Sequence, residues 1–339
     1  HARWGVRAAA VGVAAGSVMM LLVQLPAFWR RLPVRAGRRR ERARRTASAP
    51  RTTALVGWAV LAPVAVFALS RQSQVLVERF LASSLPSGAI SHLNYAQKVA
   101  QLPMTLSLMI CTVTFPLVAR AMADGRAEHA RRRVERDLTL AAVVVLLGTA
   151  YVIAYAPQIV ELLFQRGAFG AADTAATSSV MRVYAVGLLG HSLAGALVRP
   201  FFSTARPTWY PAGVMAVGLL LTVAAGAVAA PRWGVHGIAA ANAAGITTTA
   251  LMLLSGLRTR MIRVRMRRVL TDVGRLAVAA GAAAAVGWAT APLLSSVLLT
   301  VLAGALVVPA AFTAAALAVR APEVPTLLTT ATRRFRHVR

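Results

Sequence analysis

Lysine and acid are nearly missing from this sequence. Of its 38 basic residues only Lys98 is a lysine, and just ten residues are acidic. Cysteine occurs once, at Cys111, which excludes an intramolecular disulfide and reads most simply as a small packing residue. The acids are scattered, so no pair of carboxylates is spaced for acid–base work. His92, His129, His191 and His236 have no cysteine, acid or second histidine at metal-ligand spacing. A Walker loop and a serine–histidine–acid arrangement are likewise absent. An enzyme is therefore not expected, and neither is a cofactor or a metal.

Apolar residues take the place of those missing groups, at 58% of the chain with a mean hydropathy of +0.63. Largely apolar runs of membrane-spanning length occur at 8–28, 53–70, 90–117, 138–156, 175–198, 210–230, 235–257, 270–290 and 294–319. The expected fold is an all-α, polytopic membrane helix bundle of about nine transmembrane helices. Small residues recur through the runs, as close helix packing in lipid requires.

The net charge of +28 invites a nucleic-acid reading, but its distribution opposes one. Alternate connections at 30–51, 119–137, 199–209 and 258–268, with the tail from 320, hold 29 arginines; the opposite set holds six. That asymmetry follows the positive-inside rule and assigns the arginine-rich set, C-terminus included, to the cytoplasm. The charge is then explained by orientation and by contact with anionic membrane lipids, with no nucleic-acid partner. The chain starts at His1 and runs at once into an apolar span followed by a very basic segment, which reads as a membrane helix of a fragment rather than a signal peptide.

Lys98 lies inside the apolar run 90–117, where a charge at membrane depth costs several kcal/mol unless it faces a cavity or a partner. Asn94, Lys98, Gln101 and Thr105 follow spacings of 4, 3 and 4 and share one helical face, which Ser91 extends. Leu93, Val99, Ala100 and Leu106 form the apolar opposite side, and Pro103 predicts a bend. Ser91, Asn94, Lys98 and Gln101 are thus the candidate substrate-binding residues, lining a water-accessible cavity that takes an anion. Snorkelling of Lys98 to an interface and pairing with Glu78 are the competing readings, and Glu78 has Arg79 as an alternative partner. His191 is the histidine placed to titrate inside a cavity.

The segment 78–91, running into Asn94-Tyr95-Ala96-Gln97-Lys98 and Gln101-Leu102-Pro103, resembles the MurJ/MviN lipid II flippases of the multidrug/oligosaccharidyl-lipid/polysaccharide exporter superfamily. Leu163-Phe164-Gln165-Arg166-Gly167-Ala168-Phe169 with Asp173-Thr174, then Arg199-Pro200-Phe201-Phe202, and Trp233 to Ala239 match its later signatures. The resemblance implies two six-helix lobes followed by two extra helices. Residues 1–29 would be the last helix of an otherwise absent first lobe and 30–51 a basic cytoplasmic linker. Residues 52–257 would form the second lobe, 258–268 a basic cytoplasmic loop, 269–320 the two C-terminal helices and 321–339 a cytoplasmic tail. It implies flipping of undecaprenyl-diphosphate-linked glycopeptide, lipid II, by alternating access across the bacterial plasma membrane in peptidoglycan biosynthesis, with peptidoglycan synthesis proteins as further partners. One lobe alone would not transport. Two positions depart from the family pattern: Lys98 is commonly arginine there, and Gln101 can be an acid. The alternatives are export of another polyprenyl-linked glycan or a drug, or a non-transporting scaffold for cell-wall enzymes.

Overall fold

A computed structural model describes residues 11–26, 53–202 and 208–321, so the linker 30–51 and the tail beyond Ala321 lie outside the described residues. Contacts divide the chain into two units, residues 1–57 and 58–339. The first contains helix α1, Val11–Pro26. Eight further helices follow: α2 Thr53–Ala82, α3 Ala89–Ala100, α4 Leu102–Ala123, α5 Ala127–Phe164, α6 Ala171–Phe202, α7 Tyr210–Arg260, α8 Met266–Thr290 and α9 Val297–Ala318. Helix is the regular structure of the described residues, apart from a 3-10 turn at Ala291–Leu293 after α8. Five of these helices, α5 to α9, are long and apolar enough to cross a membrane, and the chain is a multi-pass all-α membrane bundle.

Helix α6 is the centre of the second unit, packed between α5 and α7 and touched by α3 and α4. Helix α7 is 51 residues long but not straight: Gly234, at φ 54° and ψ −134°, folds it back on itself. The two halves are the separate spans 210–230 and 235–257 expected from the hydropathy. They meet on small residues. A Cβ on Gly245 would lie 2.1 Å from the Thr222 hydroxyl oxygen, and one on Gly218 would lie 1.9 Å from that of Thr249. Tyr210 Oη donates to the Met252 carbonyl at 2.6 Å, and Arg260 stacks over the Tyr210 ring at 4.4 Å, which ties the ends of the hairpin together.

Helix α5 has 38 residues, about 57 Å at the α-helical rise, so it outreaches the ~30 Å hydrocarbon thickness. Its first turns carry the excess, and there acids and arginines alternate at helical spacing. Glu128 pairs with Arg131 at 2.5 Å and Arg132 at 3.6 Å, and Asp137 with Arg133 at 3.6 Å. At the other end Pro157 lacks the N–H that would bond the Ile153 carbonyl, and Tyr155 sits at the kink (φ −108°, ψ 20°). Arg182 of α6 supplies the missing donor, its Nε 3.0 Å from Ile153 O, while its guanidinium lies 4.9 Å from the centre of the Trp288 ring on α8. Tyr155 bonds Thr290 at 2.8 Å and Tyr151 bonds the Val301 carbonyl at 2.9 Å, docking α8 and α9 onto α5.

Candidate functional site

Gly88, in the left-handed region at φ 93°, turns the chain into α3, whose buried face is Leu93, Ala96, Val99 and Ala100 against α6. Helix α3 stops at Gln101, two positions before the bend expected at Pro103. The cause lies in the hydrogen bonds. Pro103 cannot donate to the Val99 carbonyl, the Gln101 N–H donates to Gln97 at 3.0 Å, and α4 starts at Leu102 with one α-helical bond missing across the junction. Gln101 is therefore the joint between two helices, and its own carbonyl accepts from the Thr105 N–H at 3.1 Å and the Thr105 hydroxyl at 3.2 Å.

Of the four candidate residues, Ser91 and Lys98 are exposed and Asn94 and Gln101 half-buried, all away from the face that packs on α6. Lys98 makes no hydrogen bond or ion pair among the described residues. Leu106 departs from the expected apolar back. It is exposed, and with Val99, Leu102 and Pro103 it lines an apolar groove of ≈ 470 Å³ whose other wall includes Tyr151 and Val301. The α3–α4 segment thus presents a polar stripe with an apolar groove beside it.

Glu78 forms no ion pair within 4.0 Å with Lys98 or Arg79, although the Arg79 charge is near enough to act on it. Helix α2 continues past the expected end at residue 70, and Arg71, Gln74 and Glu78 recur on one of its faces. Gln74 and Glu78 are each only 3% exposed. The Glu78 carboxylate accepts from Tyr184 Oη on α6 and Asn242 Nδ2 on α7, and Asn242 Oδ1 lies 3.0 Å from Nε2 of the buried His191. Sequence reading missed this interior network. The 3- and 4-residue spacing from Arg71 to Glu78 was its signal, of the same kind as the Lys98 stripe.

The two sequence signatures around α3 and the 163–174 turn come together in space. The Tyr95 ring lies 4.7 Å from that of Phe164 and 5.7 Å from that of Phe169. His92 bonds Thr177 at 2.9 Å and approaches Asp173 at 3.8 Å. Asp173 also accepts from the Gly170 N–H at 2.9 Å, closing the first turn of α6. Gly167, at φ 60°, makes the turn between. This segment joins α3 to the turn between α5 and α6.

A family model described as "Lipid II flippase MurJ" matches residues 1–308. The chain belongs to the MurJ lipid II flippase family. Similar proteins include a "Probable lipid II flippase MurJ" of Rhizobium meliloti (strain 1021), 29% identical over 86% of this chain and 53% of that relative. One of the same description from Helicobacter pylori (strain J99) is 33% identical over 51% of this chain and 38% of its own length. The "Lipid II flippase MurJ" of Burkholderia cenocepacia is 26% identical over 77% and 50% respectively. A solved structure, "Lipid II flippase MurJ, inward closed conformation", superposes with a TM-score of 0.60 at 19% identity, over 72% of this chain and 51% of that one. The likeness establishes a shared fold. The chain spans about half the length of the Rhizobium relative and of the solved structure.

Proposed function

We propose that this chain carries the second lobe and terminal helices of a flippase for lipid II, and that Lys98, with Ser91, Asn94 and Gln101, contacts the diphosphate. The observation that carries this reading is the α3–α4 segment, where an unpaired ammonium and three polar side chains stand beside an apolar groove. A polyprenyl diphosphate needs that pairing of a cationic contact with an apolar track. On this reading 52–257 is the moving lobe, 269–320 a docked helix pair, and the basic 258–268 loop and C-terminal tail face the cytoplasm of a bacterial plasma membrane. Transport proceeds by alternating access, without covalent chemistry by the protein. The ammonium acts as a point charge, whereas an arginine there would bond phosphate oxygens in pairs.

The test is rescue of a flippase-depleted bacterium by a full-length two-lobe gene that contains this chain. Lys98→Ala is expected to abolish rescue and Lys98→Arg to retain it. Full growth of the alanine variant would remove Lys98 from the substrate site. If depletion leaves lipid II in the inner leaflet unchanged, the cargo is a different molecule.

A further inference from the structure

Two arginine-rich regions flank the bundle on the same side, and the structure treats them differently. Around the start of α5, Arg126, Arg131, Arg132 and Arg133 each have a carboxylate within 4.0 Å. Between α7 and α8, the side chains of Arg258, Arg263, Arg265 and Arg267 have no carboxylate partner among the described residues. That segment is nonetheless well anchored. Ile262 and Val264 are buried in the core, so the alternation of an extended chain turns Arg263 and Arg265 outward. The Arg265 N–H donates to Glu135 Oε1 at 2.8 Å, pinning the loop to α5. Arg260 is withdrawn onto Tyr210. Two recesses result, sharing Arg265 and Arg267. One continues along the first turns of α8 past Arg268 and Thr271 to Arg275, and the other reaches back to Arg258.

We infer that this recess is a binding site for the phosphate-bearing headgroup of an anionic membrane lipid. Guanidinium forks suit phosphate oxygens, and arginines on an anchored backbone lose less freedom on binding than those of a mobile loop. Asp272, the one acid lining the recess, is nearly buried and lies 3.8 Å from Arg268, so it does not cancel the outward charge. A lipid is favoured over a free phosphate by what lies beside the arginines. Leu270 is exposed on the first turns of α8, and Val278 is exposed further along the same helix, where acyl chains would run. The site stands apart from the Lys98 stripe and does not depend on the transport reading.

The experiment is native mass spectrometry of the whole chain in detergent, titrated with phosphatidylglycerol or cardiolipin and with phosphatidylcholine as the neutral reference. The wild type should retain the anionic lipids selectively. Arg265→Gln, Arg267→Gln and Arg268→Gln together should weaken retention by about fivefold per charge removed, since a basic residue at a membrane surface contributes about 1 kcal/mol. The equal-charge control Arg126→Gln, Arg132→Gln and Arg136→Gln should change it little. Equal loss in both variants would show a general charge effect and overturn the site. Inorganic pyrophosphate binding as tightly as lipid, with no lipid present, would overturn the lipid assignment. Unchanged thermal unfolding in phosphatidylcholine nanodiscs shows that a triple variant is folded, and a triple variant that keeps full lipid retention there sinks the proposal outright.

Discussion

Glu78 is held chiefly by hydrogen bonds, with the Arg79 charge a smaller influence. Its carboxylate accepts from Tyr184 and Asn242, and Asn242 passes the connection to His191, so three helices share one polar interior. Buried donors that lose their acceptor cost about 1–3 kcal/mol each. Glu78→Leu would strand both donors and should lower stability by about 3 kcal/mol, read as an earlier thermal unfolding transition in detergent. Glu78→Gln keeps an acceptor oxygen and should lose less. Tyr184→Phe removes a single donor and should cost about 1 kcal/mol. Lys98 was legible in the sequence because a lone lysine in an apolar run stands out by composition. Glu78 was not, because Arg71, Gln74 and Arg79 surround it and the set reads as the polar end of a span. Only tertiary contacts show that Gln74 and Glu78 point inward.

Among the elements, the α7 hairpin rests on close approach rather than on large side chains. Gly218, Gly237 and Gly245 face the opposite half, and every added Cβ would come within 2.6 Å of it, while one on Gly226 would lie 2.6 Å from Leu81 of α2. Gly245→Leu should separate the halves and destabilise the protein by at least about 3 kcal/mol, at the top of the range for overpacking. Gly234→Ala has open space around it and should cost only the backbone strain of a sparsely populated region, about 2 kcal/mol. Thermal unfolding of the two variants in one detergent checks the order. The hairpin was readable beforehand, since Pro231 to Gly237 interrupts two apolar runs with turn-forming residues. The break between α3 and α4 was less so. Pro103 announced a bend, and the helix break lies two positions earlier, at Gln101.

For the molecule as a whole, α8 and α9 are docked on α5 rather than merely appended after α7. Tyr155 reaches between them: a Cβ on Gly304 would lie 2.6 Å from its ring, and one on Gly287 3.1 Å. Gly304→Leu should push α9 off the Tyr155 ring. The expected sign is faster proteolysis within the connection 291–296, with the α2–α7 part still resistant. The basic linker at 30–51 and the nine-span count were compositional readings. The linker lies outside the described residues, and five described helices reach crossing length by their own hydropathy.

The joint at Gln101 has a mechanical consequence. Lys98 belongs to a rod fastened to α6 and, through Tyr95, to the 164–169 turn. Thr105 belongs to a second rod, fastened to α5 where Pro103 meets Gly148 and to α5 and α6 through Ser107. A ligand spanning the two would act as a strut across a knuckle. The rods meet at a single residue, Gln101, whose N–H closes the first on Gln97 at 3.0 Å and whose carbonyl opens the second on Thr105 at 3.1 Å, so a load on that strut falls on these two bonds.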